Sequence, residues 1–310
     1  MDMTQAIKSK AHEIGFQKIG ISSPDLPLSY NNYFNKWLYS NKNGTMQWLE
    51  SRKDKRKDVN KYFPGVKSVI SVAINYFAGN SNEIVANGKQ THKFSNYAWG
   101  KDYHIVFKQK LNELLDYIKN EFAQDVKGLI CVDSSPIMEK QWAQRGGIGW
   151  QGKHTILIND EFGSWIFLGE LLLDIPLGYD RPFTKDLCGT CTACIDACPT
   201  NALTEYQLDA TKCISYLTVE YKSEFDIAQN SKLNNWIYGC DICQQVCPWN
   251  IKKQKHTDVD LFKPIQEIKE YSFTDWQKID EDSFIKIFKD SPVKRIKYDR
   301  LRRNITALNH

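Results

Sequence analysis

The stretch "CGTCTACIDACP", residues 188–199, places four cysteines at spacings of two, two and three residues and ends with a proline. A second stretch, "GCDICQQVCPWN" at residues 239–250, repeats this pattern with one cysteine fewer. The run C-x2-C-x2-C-x3-C-P is typical of bacterial ferredoxins, in which three thiolates bind one iron–sulfur cluster and the fourth crosses to a neighbouring cluster. The sequence therefore predicts a ferredoxin-like module that holds two [4Fe–4S] clusters.

The same crossing rule assigns eight of the nine cysteines to two ligand sets. The second run offers only three thiols, and Ile237, which stands where a fourth is expected, cannot bind iron; Cys213 is the natural substitute. Cys131 is left over in an apolar run and is interpreted as a small buried hydrophobic residue. The predicted ligands are Cys188, Cys191, Cys194 and Cys247 for the first cluster, and Cys198, Cys213, Cys240 and Cys243 for the second.

Zinc is the alternative metal that paired C-x2-C motifs could bind. Structural zinc sites seldom use two overlapping runs that are each closed by proline, so we favour the clusters. A ferredoxin-like electron carrier is the simplest function, but such a carrier would not need about 180 further residues in front. The clusters are therefore expected to feed a redox centre bound by the preceding part of the chain.

The chain has 310 residues, of which 42% are apolar and 13% aromatic, so it can bury a large core and is long enough for two or three domains. A formal net charge of +4 does not by itself indicate a polyanionic partner. No stretch approaches the roughly 18 apolar residues of a membrane span, and the polar start resembles no export signal. We therefore expect a cytoplasmic protein without a membrane partner, whose reducing surroundings disfavour structural disulfides.

The predicted fold class is α+β, in three parts. Residues 1–180 are expected to form a mixed α/β domain, residues 181–252 the ferredoxin-like module, and residues 253–310 a polar, basic segment of short helices. Apolar residues at helical spacing predict one helix near the start and another over Tyr103–Phe122, with Ile105 on its apolar face. The β-branched run Val66–Tyr76 predicts a strand.

Four further elements are predicted before the cysteine module. Gly128–Asp133 is a short buried strand, after which Ser134, Ser135 and Pro136 would cap and begin a helix through residue 145. Residues 154–160 and 164–174 are predicted to be two strands of a hairpin.

A literal G-x-G-x-x-G occurs at Gly147, Gly149 and Gly152. A dinucleotide-binding fingerprint must follow a strand and open a helix, whereas here a predicted helix precedes and a predicted strand follows. We therefore reject a Rossmann interpretation and expect a tight loop in which the backbone closely approaches its neighbours.

The ordered motifs of this chain resemble those of the epoxyqueuosine reductases, cobalamin-dependent iron–sulfur enzymes that complete queuosine in tRNA. The resemblance covers nearly the whole chain. It is carried by "YFPGVKSVISVAINY", "YAWGKDYH", "VDSSPIMEKQWAQRGGIGWQGKHTILI", "GSWIFLGELLLD", "CGTCTACIDACPTNAL", "CISYLTVE" and "YGCDICQQVCPWN". The related reductive dehalogenases combine cobalamin with two clusters but usually carry a twin-arginine export signal, which is absent here.

This resemblance implies that the first domain binds cobalamin with its nucleotide base detached from cobalt, and that the clusters pass electrons to it. Asp133 matches the family's proton donor, and a carboxylic acid beside an opening epoxide would protonate its oxygen by general acid catalysis. The alternative is that Asp133 only caps the next helix, but Ser134 or Ser135 can do that instead.

The cobalamin-binding signature D-x-H-x-x-G of other proteins is incomplete. Asp102, Tyr103 and His104 begin it, but Phe107 stands where the glycine should be. The family binds cobalamin without that histidine, so the departure does not count against the resemblance.

Nine more residues are expected near the cobalamin. Alternatives stay open for several of them: a solvated charge run for Arg56, aromatic packing for Tyr97, an ordinary strand histidine for His154 and a role in shaping the cluster loop for Asp241. The nine are Arg56, Tyr97, Lys153, His154, Thr155, Ser215, Tyr216, Asp241 and Gln244.

The expected partners are an external electron donor and tRNA, whose modified anticodon base would be flipped into the pocket of a monomeric enzyme. Residues 286–303 are rich in lysine and arginine, which fits contact with phosphates, although a solvated helix is the alternative. Many family members continue past this point into a helical-repeat domain, so this chain is a short or trimmed member, and tight binding of whole tRNA is the property in question. The predicted tRNA contacts are Lys294, Arg295, Lys297, Arg300, Arg302 and Arg303.

Two other functions remain open. One is a different cobalamin and iron–sulfur reductase, such as a reductive dehalogenase acting on a small molecule, and the other is a non-catalytic electron-transfer protein. The basic segment disfavours the first, and Asp133 with the pocket motifs disfavours the second.

Overall fold

The computed structural model describes residues 2–81, 92–122 and 124–308, except for the side chains of residues 227 and 228. In the first 180 residues the helices are α1 (Met3–Ile14), α2 (Leu28–Tyr39), α3 (Gln47–Ser51), α4 (Lys53–Lys57), α5 (Tyr103–Glu121) and α6 (Glu139–Arg145). The strands there are β1 (Lys18–Ser22), β2 (Ser68–Asn75), β3 (Lys93–Phe94), β4 (Gly128–Cys131), β5 (Trp150–Gln151), β6 (Leu157–Ile158) and β7 (Ile166–Leu173).

The rest of the chain is built of short elements. The cysteine module contains α7 (Ala193–Asp196), β8 (Leu203–Thr204), β9 (Gln207–Leu208), α8 (Ile214–Val219), α9 (Ile227–Asn230), β10 (Trp236–Tyr238), α10 (Ile242–Gln245) and α11 (Pro248–Lys253). The C-terminal segment contains α12 (Gln266–Glu270), α13 (Phe273–Gln277), α14 (Glu281–Ile287), a 3-10 turn at Pro292–Ile296, and α15 (Lys297–Thr306). The α+β class and the helical C-terminal segment are confirmed.

Four strands form one antiparallel sheet in the order β1-β2-β7-β4. β2 pairs with β7 over its full length, from Ser68 opposite Leu173 to Asn75 opposite Ile166. Every residue of β2 is buried, including the polar Ser68, Ser71 and Asn75, so its sequence does not alternate between apolar and polar residues. An all-antiparallel sheet cannot be a Rossmann fold, so the rejection of that interpretation is confirmed.

Helices cover both faces of this sheet. Ile70 and Val72 pack into the main hydrophobic core together with residues of α1 and α5. Val69 faces the opposite side, where it packs with Cys131 of β4 and Trp142 of α6. The buried position of Cys131 agrees with its interpretation as a small hydrophobic residue.

α5 is the longest helix and borders the functional cleft at its N-terminus. The carboxylate of Asp102 caps it by accepting a hydrogen bond from the backbone N–H of His104 at 2.9 Å. Leu111, Leu114 and Ile118 are buried as their spacing predicts. Ile105 does not lie on that face, since 42% of its surface is exposed.

Two local predictions are wrong. The segments 154–160 and 164–174 do not pair as a hairpin, because β6 pairs with β5 while β7 joins the main sheet. The turn between them is closed only by a bridge between Asn159 and Gly163. α6 begins at Glu139, after Met138, rather than at the serine–proline sequence, and neither Ser134 nor Ser135 caps it. The loop before the helix is therefore longer than predicted, and Asp133 lies at its start.

The C-terminal segment shares a hydrophobic core with the two other parts of the chain. One cluster combines Phe94 and Trp99 with Ile237 of the cysteine module and with Trp276 and Leu301 of the last 58 residues. In addition, β10 pairs with β3 in parallel. The boundaries predicted at residues 180 and 252 stay predictions, but this core crosses both of them.

Among the described residues, no helix combines the length and the apolar character that crossing a membrane requires.

A close approach of two glycines positions α6 on the sheet. A Cβ on Gly20 of β1 would lie 2.1 Å from the carbonyl oxygen of Gly146, directly after α6. We predict that Gly20→Ala lowers the free energy of unfolding by about 3 kcal/mol, because the helix must move away. Gly65→Ala is the matched control: its φ is +83° but its Cβ would meet nothing within 4 Å, so a loss of about 1 kcal/mol is expected. Urea unfolding of both variants tests this, and equal losses would contradict it.

Candidate active site

The eight motif cysteines fall into two groups in the folded chain. In the first group Cys194 lies near Cys247, and both are close enough to Cys188 and Cys191 for the charges to interact. Cys243 also lies within electrostatic range of Cys194, so the two groups are neighbours. The second group, Cys198, Cys213, Cys240 and Cys243, lines one cavity of 260 Å³. Both groups coincide with the predicted ligand sets.

Short helices shape the two cysteine loops. α7 and α10 are each a single turn, and the chain reaches them through Gly189 and Gly239, which have φ values of +51° and +69°. Among the described residues, no three His, Cys, Asp or Glu side chains converge closely enough to hold one metal ion.

A cleft runs from the second cysteine group to the outside. The 260 Å³ cavity is the inner one. Next to it lies a middle cavity of 470 Å³, and the two share Tyr97, Cys213 and Ser215. The 470 Å³ cavity in turn shares Asp133 and Glu139 with an outer cavity of 740 Å³, which is bordered by α2 and α3. The overlapping linings make these three cavities parts of one space between the sheet domain and the cysteine module.

Most residues predicted to contact a cofactor border this cleft. Lys153 is the exception and is a correction: its buried ammonium pairs with Glu205 at 2.6 Å, and it lines none of the three cavities. Those that line the cleft are Arg56, Tyr97, Asp133, His154, Thr155, Ser215, Tyr216, Asp241 and Gln244.

Several of these residues also hold the cleft together. The carboxylate of Asp241 accepts hydrogen bonds from the Ser95 hydroxyl at 2.5 Å and from the Asn96 backbone N–H at 2.7 Å. The hydroxyl of Tyr216 accepts one from the backbone N–H of Thr45 at 2.8 Å. The structure therefore supports the alternative in which Asp241 shapes the cluster loop.

Two of the residues predicted to contact a cofactor carry buried polar atoms without a hydrogen-bond partner among the described residues. They are Nε2 of His154, beside the second cysteine group, and Nε and Nη2 of Arg56, beside the outer cavity. Burial, reinforced by the charge of Lys140, lowers the pKa of His154 to about 4, so its ring is neutral. Unpaired buried polar groups are costly, and a polar ligand in the cleft would satisfy them.

Asp133 lies between the middle and outer cavities. Its backbone is left-handed, with φ at +49°, and its N–H donates to the Glu139 carboxylate at 2.5 Å. Its own carboxylate is 3.4 Å from Nε2 of His104, and 46% of the side chain is exposed. Burial raises the pKa of Asp133, but the hydrogen bond and charge of His104 outweigh it and leave the pKa below its ordinary value.

Sequence reasoning missed the residues around Asp133. Asp102 and His104 were set aside because the cobalamin signature they begin is incomplete, yet Nδ1 of His104 lies 2.8 Å from the Asp102 carboxylate. The pKa of His104 is raised to about 9, since these carboxylates more than offset burial. Burial and the charge of Asp133 raise the pKa of Glu139 to about 8. The signal in the sequence was the D-x-H spacing itself.

Comparison with known proteins gives this site a family. Residues 56–134 match the family model "Epoxyqueuosine reductase QueG, DUF1730", and residues 187–250 match a 4Fe-4S double cluster binding domain. Epoxyqueuosine reductases of Leadbetterella byssophila and Cellulophaga algicola are 45% and 44% identical to this chain. The alignments cover 98% and 97% of this chain and 97% and 96% of those proteins. The chain belongs to the epoxyqueuosine reductase family. It is therefore an oxidoreductase.

Solved structures agree. Epoxyqueuosine reductase with an epoxyqueuosine-modified tRNA-Tyr stem loop has a TM-score of 0.87 at 29% identity, covering 98% of this chain and 80% of that one. The Bacillus subtilis enzyme with its catalytic aspartate loop swung out of the active site has a TM-score of 0.85 at 28% identity, with the same coverage. A catabolic reductive dehalogenase at 16% identity has a TM-score of 0.51, covering 97% of this chain and 37% of that one, which shows the fold alone.

The basic residues of the C-terminal segment in this epoxyqueuosine reductase family member have different surroundings, and only some of them are free to contact a partner. Lys294 and Lys297 are exposed. Arg295 forms an ion pair with Glu220 at 2.7 Å and lines the cavity that contains Asp133. Arg300 donates to three backbone carbonyls, and Arg302 donates to the carbonyl of Gln277.

Arg303 does not belong to an exposed surface, which corrects its prediction as a tRNA contact. It is 8% exposed and donates to the carbonyls of Leu217, Tyr221 and Ser223, while its guanidinium lies 4.0 Å from the ring centre of Phe225. It therefore anchors α15 on the cysteine module.

We predict that Arg303→Ala lowers the free energy of unfolding by about 3 kcal/mol, because one buried and two partly buried carbonyls lose their donor and the cation leaves the ring of Phe225. Lys294→Ala should change it by less than about 0.5 kcal/mol, since this side chain is exposed and donates only a 3.4 Å hydrogen bond. Denaturant unfolding of the two variants provides the measurement, and an unchanged midpoint for Arg303→Ala would contradict the anchoring role.

Proposed function

We propose that this chain reduces the epoxide of epoxyqueuosine in tRNA to the alkene of queuosine, with loss of water, in the cleft between its sheet domain and its cysteine module. The observation that carries the proposal is that the second cysteine group and Asp133 open onto overlapping cavities. An electron source and an acid would then meet around one space. Reductive opening of an epoxide requires both.

The two cysteine groups suit two [4Fe–4S] clusters, with Cys188, Cys191, Cys194 and Cys247 around one and Cys198, Cys213, Cys240 and Cys243 around the other. The match of residues 187–250 to a double cluster domain supports this assignment. Cys191 of the first group is exposed, whereas the second group borders the cleft. Electrons from an external donor would therefore enter at the first cluster and leave from the second.

The cleft suits a cobalamin next to the second cluster. The unpaired Nε2 of His154, whose Nδ1 already accepts from the Ile156 N–H, and the unpaired guanidinium nitrogens of Arg56 can donate to the amide oxygens and phosphate of such a ligand. Ser215 and Gln244 line both the inner and the middle cavity and would face the bound cobalamin. When bound, cobalamin would supply a strongly nucleophilic metal centre, reduced by electrons from the clusters.

Asp133 would donate a proton to the epoxide oxygen as the carbon–oxygen bond breaks. Its half-exposed carboxyl would lose water contact when ligands fill the cleft. Because desolvation disfavours the charged form, binding would raise its pKa toward the range in which it carries a proton. The acid would thus be prepared by the presence of its substrate.

The exposed lysines of the C-terminal segment would contact tRNA phosphates at the mouth of the cleft. Pro292 and Arg295 of the 3-10 turn line the middle cavity, so Lys294 and Lys297 lie on or next to an element that borders it. The solved complex of a relative with a tRNA stem loop supports this partner. A tRNA substrate and eight free thiols in two groups also fit a cytoplasmic, reducing location.

The cluster assignment predicts unequal effects of two cysteine substitutions. Cys213→Ala should lower the iron content of anaerobically reconstituted protein from about eight to about four atoms per chain, because one of the two clusters loses a ligand. Cys131→Ala is the matched control and should keep the full content, since this thiol is buried among apolar side chains. Iron and sulfide analysis with electron paramagnetic resonance of the reduced protein gives the answer. Equal iron in both variants would argue against Cys213 as a ligand.

The proposed reaction is tested with protein reconstituted anaerobically with iron, sulfide and cobalamin, a reductant, and tRNA that contains epoxyqueuosine. We expect queuosine from the wild type and at least about 100-fold slower formation with Asp133→Asn, which keeps the shape but not the proton. Asp125→Asn, at an exposed position, serves as the control with wild-type activity.

Three outcomes would contradict the proposal. Queuosine formation without bound cobalamin would remove the cofactor from the reaction. Reduction of a halogenated small molecule but not of the tRNA would favour the dehalogenase alternative. Electron uptake without formation of any product would favour the alternative of a non-catalytic electron-transfer protein.

A further inference from the structure

The proposed reaction needs more protons than one carboxyl group holds. Reducing an epoxide to an alkene consumes two electrons and two protons, and the oxygen leaves as water. Asp133 can supply one proton as the ring opens, but the resulting hydroxyl needs a second proton before it departs. Since this inference rests on the proposed function, the question is which group of this chain restores the proton on Asp133.

His104 is in contact with the carboxylate of Asp133 on one side and with that of Asp102 on the other. Its Nε2 lies 3.4 Å from Oδ2 of Asp133, and its Nδ1 lies 2.8 Å from Oδ1 of Asp102. The three side chains form a line from the N-terminal cap of α5 to the loop after β4, and all three border the 470 Å³ cavity. The imidazole ring thus connects the proton donor to a fixed anion.

The charges around this line favour a proton on the ring. Asp102 and Asp133 raise the pKa of His104 to about 9 despite partial burial, so the ring is an imidazolium at neutral pH. The charge of the ring in turn lowers the pKa of Asp133, so at neutral pH the proton lies on His104 and the Asp133 carboxylate is ionised. The other titratable or charged groups that face this line of side chains from neighbouring elements are Tyr97, Tyr103, Tyr238, Glu139, Lys140, Arg295, Glu220 and Arg56.

We propose that His104, held by Asp102, is a positioning residue that stores a proton and passes it from Nε2 to the Asp133 carboxylate, so that Asp133 can protonate the substrate oxygen twice. In each transfer the N–H bond of His104 breaks as an O–H bond forms on Asp133. The negative charge that develops on the substrate oxygen draws the proton along. After each transfer the neutral imidazole takes a new proton from water at its partly exposed edge, so that a second proton is available for the second transfer.

Glu139 is the competing source of a proton. Its pKa of about 8 keeps it protonated at neutral pH. However, its Oε1 accepts a hydrogen bond from the backbone N–H of Asp133 rather than meeting the Asp133 carboxylate. His104 has the direct contact with the acid, and Glu139 has a contact that places the loop.

The relay predicts a change in the pH profile, measured as single-turnover queuosine formation by the reconstituted holoenzyme. Because its pKa is raised, His104 carries the transferable proton below about pH 9 and loses it above. The wild-type rate should therefore stay level to about pH 9 and then fall. In His104→Gln the amide still donates to Asp133 but carries no transferable proton. We expect its alkaline fall to begin more than about one pH unit lower and its rate at pH 8 to be at least about tenfold reduced, with recovery toward wild type in acid.

Matched variants separate a relay from a purely structural role. His12→Gln, on the exposed side of α1, should leave the profile unchanged. Asp102→Asn keeps a polar group beside the ring but removes a charge that raises its pKa, so the alkaline fall should move to lower pH by less than in His104→Gln. Iron content and cobalamin absorbance of each variant, equal to those of the wild type, would show that the site is still assembled.

A second measurement does not depend on turnover. Carbon-13 labelled histidine in the oxidised, cluster-loaded protein should show one ring, assigned by its loss in His104→Gln, that titrates near pH 9 and titrates lower in Asp102→Asn. A ring that titrates at its ordinary value, or a His104→Gln profile that overlays the wild type, would overturn the relay. Absence of queuosine with the wild type would instead overturn the proposed function.

Discussion

The buried carboxylate of Asp241 joins the two halves on which the site depends. It stands between two cysteines of the second group and accepts hydrogen bonds from Ser95 and Asn96, which directly follow β3. A buried carboxylate is tolerated only when it is well hydrogen-bonded, so these contacts set one position for the cysteine loop against the sheet domain. The parallel pairing of β10 with β3 extends the same junction. The second cysteine group lines a cavity that overlaps the one bordered by Asp133.

Across the cleft the ionisable groups differ in charge because their surroundings differ. Glu139 is neutral at neutral pH since burial and the charge of Asp133 raise its pKa, whereas Asp133 is held ionised by the imidazolium of His104. Arg295 compensates the charge of Glu220 at the mouth of the cavity. Pairs of titratable groups pushed in opposite directions are typical of acid–base sites. In the proposed relay this arrangement would store a proton beside the substrate oxygen.

Prediction from sequence succeeded where the signal is local and periodic. The faces of α1 and α5 and the buried strands β2 and β7 follow from the spacing of apolar residues. It failed for the hairpin, because the partner of β7 is β2, more than 90 residues earlier in the chain. The start of α6 was also wrong, since serine and proline favour a cap wherever they stand, while the Glu139 contact with the Asp133 backbone orders a longer loop. Arg303 was grouped with the exposed Lys294 and Lys297 because residue type does not record burial.

By itself the sequence determined the family and the two sets of cysteines, since cluster ligation depends on spacings of two and three residues within a loop. Only the tertiary structure decided which acid–base groups meet. His104 reaches Asp133 because α5 packs against the sheet that ends in β4, and Arg295 joins the same cavity from the far end of the chain. Such contacts depend on the distance between elements after packing, which the order of residues along the chain does not record.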